Sequence, residues 1–158
     1  MTKALVRVPL EAGIDVGREI VFAEPTSEES CYCVRSIPAF SYGVAVGDTV
    51  RVVDKESGKF DVIARGGQVT IRVFVSGSLN RPDVSALIDS VVQAKGQYEI
   101  GKNDTDISGA SLLLLSLDAQ IGFPKIESLL RAVEGPDVKW EYGNVYASDG
   151  RPLNWWAH

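Results

Sequence analysis

Two cysteines, one histidine and a scatter of arginines and carboxylates are the residues with chemical potential in this chain. Cys31 and Cys33 form a C-x-C pair. On a strand both side chains point to one face. A zinc site needs three or four Cys and His ligands, and no further cysteine or nearby histidine completes the set. Their spacing in an extended strand is near the upper limit for a disulfide. The pair therefore reads as buried structural thiols, with a redox pair as the alternative. His158 is the only histidine and the last residue, where fraying is expected. Ser-His-Asp and Cys-His hydrolysis and most histidine-based metal sites are set aside on that ground. No metal and no cofactor are expected.

Among the charges, Asp48 follows Gly47 in "YGVAVGDTVRV". Acid–base work by Asp48 needs a partner within reach, and no histidine is near in sequence. Gly43 and Gly47 suit positive φ, and an aspartate there bonds to neighbouring amides in a turn. Arg72 lies in "QVTIRVFV", opposite in parity to Val69, Ile71, Val73 and Val75 and alongside Thr70 and Phe74. That parity predicts an exposed Thr-Arg-Phe face suited to a carboxylate or a protein partner. The competing expectation pairs Arg72 with Asp61 or Glu99 on neighbouring strands. Glu24, Asp48 and Arg72 together form a candidate carboxylate-and-arginine pocket.

Three further stretches qualify for a site. "SGSLNRP" (76–82) precedes a helix whose N-terminus suits an anion, but the Gly-Lys-Ser/Thr of a P-loop is missing, so a connecting loop is expected. "GKNDTD" (101–106) clusters acids like a Ca²⁺ loop without the closing glutamate, which predicts a solvated hairpin. Trp155 and Trp156 in the tail should cover an apolar patch, on this chain or on a partner.

The elements that position these residues follow from periodicity. "KALVRVPL", "REIVFAEP", "CYCVRSIP" (31–38), a strand at about 49–53, "FDVIAR" and "QVTIRVFV" are short strands separated by turn residues. Such spacing, with glycine at the corners, predicts a small, partly open antiparallel β barrel over 1–68. After Ser78 the rhythm changes. Val84, Leu87, Ile88, Val91 and Val92 mark one helical face, with Asn80 or Asp83 to cap its start and Gly96 past its end. A short strand, an apolar strand at 110–117, a second helix through Ile126, Leu129, Leu130 and Val133, and "DVKWEYG" complete the order strand-helix-strand-strand-helix-strand. That is the ferredoxin-like (βαββαβ) order, assigned to 69–146 and followed by a tail over 147–158. The expected class is α+β.

Phe22-Ala23-Glu24, Ile37-Pro38, Tyr42-Gly43, Gly47-Asp48-Thr49-Val50 and Thr70-x-Arg72 resemble the motifs of an uncharacterised bacterial family, a domain of unknown function. In that family an asparagine precedes Ile-Pro, a phenylalanine follows it, and a histidine stands just before the Thr-x-Arg. Here Ser36, Ala39 and Gln68 occupy or neighbour those places. The resemblance implies no activity.

Composition limits the function classes. The chain is 45% hydrophobic and 23% charged, with 16 basic and 21 acidic residues for a net charge of −5. No basic block stands out, which argues against nucleic-acid and anionic-membrane binding. The longest apolar run, "SLLLLSL", falls far short of the ~20 residues of a spanning helix, and the N-terminus has no signal-peptide core. Cytoplasmic residence is expected, and two cysteines suit a reducing compartment. The expected function is a non-catalytic protein-binding module holding a protein partner or a second copy, with Arg72, Phe74, Trp155 and Trp156 as its surface. The alternatives are an inhibitor or immunity-type protein acting on a basic partner, and a small-ligand sensor or enzyme using Glu24, Asp48 and Arg72.

Overall fold

The structure is a computed structural model that describes residues 4–13, 16–103, 109–133 and 135–157. His158 and most of the acidic cluster in "GKNDTD" lie outside the described residues. Two antiparallel sheets and two α-helices form a mixed α+β fold.

The first sheet is a meander of β1 (Val6–Glu11), β2 (Arg18–Pro25), β3 (Cys31–Val34), β4 (Thr49–Asp54) and β5 (Lys59–Ala64), paired in that order. Alternation sets its inner face: Val8, Leu10, Val21, Ala23, Val34 and Val50 form its core. Pro25 ends β2, where its missing N–H is harmless. The expected barrel is corrected to an open, curled sheet. Its outer strands β1 and β5 form no ladder, and β1 instead meets the turn between β4 and β5. There the Glu11 amide donates to the Gly58 carbonyl at 2.8 Å. A Cβ on Gly58 would lie 2.8 Å from the Glu11 nitrogen, so only glycine permits the approach.

The second sheet has the order β7-β8-β6-β9, built from β6 (Gln68–Ser76), β7 (Gln97–Lys102), β8 (Ala110–Asp118) and β9 (Val138–Tyr142). Helix α1 (Pro82–Gln93) separates β6 from β7, and α2 (Phe123–Leu130) separates β8 from β9. Val69, Ile71, Val73 and Val75 pack with Leu113, Leu115 and Leu117 against Val84, Leu87 and Val91 of α1 and Ile126 and Leu130 of α2. Each such side chain contributes about 1.5–3 kcal/mol by leaving water.

The start of α1 differs from expectation. Its N-cap is Arg81, without a side-chain cap, and Pro82 opens the helix. Proline suits that place because its missing N–H is one the first turn leaves unpaired. The end of α1 differs too, since Lys95 takes the left-handed conformation at φ 63°. Gly96 bonds back to the Val91 carbonyl at 2.8 Å. Glycine at 96 is required by space, because a Cβ would lie 2.6 Å from Leu117 and 2.8 Å from the Ser116 carbonyl.

The opposite face of β6 and β8 is covered by the first half of the chain. Leu112 and Leu114 pack with Ile37 and Val46 from the segment between β3 and β4. Strand β6 is thereby buried on both faces, which decides the position of Arg72.

Candidate functional site

The segment 35–48 leaves β3 early and crosses to the second sheet, held by two carboxylates. Glu19 on β2 accepts from the amides of Ala39 at 2.9 Å, Phe40 at 2.7 Å and Ser41. Asp48, only 1% exposed, accepts from Ala45 N–H at 2.9 Å and Gly66 N–H at 2.8 Å and pairs with Arg65 at 3.3 Å. Burial pushes the Asp48 carboxyl above its ordinary value, against the opposing pull of the Gly66 amide, Arg65 and the Ala45 amide. Asp48 is a latch within the turn.

Arg72 is 1% exposed, so the expected exposed Thr-Arg-Phe face is corrected. Thr70 is fully buried with it, and only Phe74, at 36%, reaches solvent. The β6–β9 register sets Arg72 opposite Glu141, and the pair closes at 3.3 Å. Neither Asp61 nor Glu99 is its ion-pair partner. A second guanidinium nitrogen donates to the Ser41 carbonyl, and the group lies 5.0 Å from the centre of the Tyr42 ring. Gly143 makes room for it, since a Cβ there would sit 3.0 Å from Arg72 Nη2. Arg72 Nε, Thr70 Oγ1 and Ser41 Oγ are buried without a hydrogen-bond partner among the described residues.

The three residues of the expected pocket enter separate ion pairs. Glu24 pairs with Arg35 at 3.2 Å, Asp48 with Arg65, and Arg72 with Glu141. The tryptophans cover an apolar patch of their own chain. Trp156 meets Phe123 edge-on at 5.3 Å, and Trp155 donates from Nε1 to the Asn144 carbonyl at 2.9 Å with Arg65 over its ring. Cys31 and Cys33 are free thiols, the first buried and the second half-buried. Among the described residues no group of three or more His, Cys, Asp or Glu could hold a metal ion. No helix among them is long and apolar enough to cross a membrane.

The concave surface lies beside these residues. A groove of about 880 Å³ runs between β5, the end of β1 and the tail, with Glu11, Asp61, Asp149, Arg65, Arg151 and Leu153 among its walls. A second cleft of about 450 Å³ opens at the free edge of β9, lined by Tyr42, Trp140, Glu141, Tyr142 and Tyr146. Tyr42 lines both. Burial and the neighbouring Glu127 carboxylate, 3.0 Å from its hydroxyl, hold the Tyr142 phenol above its ordinary range. None of Glu24, Asp48, Arg72, Phe74, Trp155 or Trp156 lines either depression. Sequence reasoning missed Glu141 and Tyr146. The signal for the first was legible in "KWEYG", where alternation sets one acid between two aromatics.

Residues 19–141 match the model of a domain of unknown function, DUF4265. That span runs from β2 into β9; it includes Glu19, Tyr42, Asp48, Arg72 and Glu141 and stops short of Tyr146 and the tryptophan pair. No curated protein matches the chain. The fold is similar to a crystal structure described as a hypothetical protein from Neisseria gonorrhoeae, with a TM-score of 0.61 over 90% of this chain and 95% of that one. At 19% identity the likeness is one of fold. With most of its length matched by the family model, the chain belongs to the DUF4265 family, whose function is unknown.

Proposed function

We propose that this chain is a non-catalytic protein-binding module whose partner lies along the two depressions that meet at Tyr42. The observation that carries the reading is the charge of the larger groove. Glu11, Asp61 and Asp149 stand there against Arg65 and Arg151, and Arg65 is already engaged by buried Asp48. An acidic groove on a chain of net charge −5 favours a partner with a basic surface. The inhibitor reading shares that charge logic and differs only in what the partner does. The sensor or enzyme reading has no support from Glu24, Asp48 and Arg72, whose charges are already engaged elsewhere.

The architectural reading goes with it. The element order after residue 69 and the ladder order β7-β8-β6-β9 support a ferredoxin-like unit over 69–146, with 1–68 as a curled β subdomain and 147–158 as a strap. The test of function is affinity capture with the full chain and with Asp61→Lys/Asp149→Lys. The expected result is a stoichiometric, basic protein held by the wild type and lost by the variant. Equal retention by both overturns the groove as the binding surface.

A further inference from the structure

Resting on that reading, we infer that the cleft beside β9 receives a cationic side chain, an arginine or a lysine, from the partner protein. Its walls are aromatic and its one charge is Glu141, whose side chain is 40% exposed. The two carboxylate oxygens are unequally used. Oε1 takes Arg72 at 3.3 Å and the Tyr42 hydroxyl at 3.4 Å, whereas Oε2 has only that hydroxyl, at 3.5 Å, among the described residues. A carboxylate oxygen with spare lone pairs, in a cleft whose walls also carry tyrosines and a tryptophan, is the chemistry that guanidinium and ammonium groups seek.

The chain already uses this chemistry from within. Arg72 lies against the Tyr42 ring and against Glu141, so the same aromatic and the same acid accept one cation from the buried side. The cleft offers a second cation the solvent side of that arrangement. Other occupants fit less well. An aliphatic side chain would strip water from Glu141 without replacing its hydrogen bonds. The acids of the adjoining groove deepen the negative potential along the approach. Strand β9 is the edge of its sheet, paired with β6 alone among the described strands, so none of these blocks entry.

The experiment titrates the isotope-labelled full chain with a blocked Gly-Arg-Gly peptide, a Gly-Lys-Gly peptide and a Gly-citrulline-Gly peptide, the last a neutral mimic of arginine, and follows the Trp140 indole and the Glu141 and Tyr146 amides by NMR. The arginine or the lysine peptide is expected to shift these signals saturably, with citrulline about tenfold weaker. Tyr146→Ala, at an exposed wall residue, is expected to weaken the cationic peptide several-fold while leaving the remaining spectrum in place. An equal response to citrulline, no saturable shift with either cation, or an unchanged affinity in Tyr146→Ala overturns the inference. A basic partner captured through the groove without any cationic shift at Trp140 overturns this inference alone. A cationic shift at Trp140 with no captured partner overturns the module reading alone.

Discussion

Asp48 and Arg72 show how far a residue's role depends on what covers its strand. Their chemistry was visible in the sequence, because an aspartate after Gly47 accepts turn amides wherever it is placed. For Arg72 the parity was right and the conclusion wrong. The face opposite Val69, Ile71, Val73 and Val75 is solvent only in a sheet covered on one side, and β6 is covered on both. Asp48 allows a sharp test. Ala45 and Gly66 donate to different carboxylate oxygens, so Asp48→Asn must set its NH₂ against one of those amides. The expected loss is about 1–3 kcal/mol, for one buried donor left unpaired, read from urea unfolding. Its pH dependence has a definite sign. Burial raises the folded pKa above the unfolded value, so the contribution of Asp48 is full below the ordinary aspartate value of 3.8 and is lost as pH rises through the folded value. The advantage of the wild type over Asp48→Asn should therefore narrow from acid pH towards neutrality. A gap that widens with pH would mean that the Gly66 and Ala45 amides and Arg65 outweigh the desolvation and lower the carboxyl instead.

At the level of elements, periodicity located the strands and both helices, because each presents one apolar face to a core. What it could not locate were the places where elements touch. The strand expected over 31–38 stops at Val34, since Glu19 and Asp48 draw the following segment onto the second sheet. The curl of the first sheet likewise depends on a contact between residues far apart in sequence. Gly58 is the pivot, at φ +78° with its absent Cβ pressed against the backbone of Leu10 and Glu11. Gly58→Ala meets both obstacles, a left-handed backbone and a clash that no flexible side chain can relieve. The expected cost is at least about 1–2 kcal/mol from the backbone conformation alone. The local signature is loss of the Glu11–Gly58 bond, so hydrogen exchange at the Glu11 amide should accelerate while the amides of β6 and β8 stay protected. Uniform acceleration across both sheets would instead mean that the β4–β5 turn holds the whole chain together.

The molecule as a whole turns on the face of the second sheet that the helices do not cover. Leu112 and Leu114 would meet water there without Ile37 and Val46, and Arg72 would lose the cover of the same segment. Polar ties cross with the apolar ones: the Ile37 amide donates to Glu99 at 2.6 Å and the Gly43 amide to the Gly143 carbonyl at 2.9 Å. The pattern of β6 reads as one apolar face and one solvent face, with Thr70 and Arg72 on the second, but in β8 the leucine run at 112–115 is apolar at both parities. That uninterrupted run was itself the sign of a strand buried on both sides. Its consequence is cooperative unfolding. Leu114→Ala removes a side chain 3% exposed at the seam and should cost about 2–5 kcal/mol. The loss should appear as one shifted transition. All three tryptophans lie between residues 140 and 156, so their fluorescence follows the second half and tail, whereas far-UV circular dichroism follows both sheets. The two signals should stay coincident in the wild type and in Leu114→Ala. If the variant instead splits them, with fluorescence changing apart from dichroism, the first sheet is stable without the face it covers, and the seam is an interface between two independent folding units.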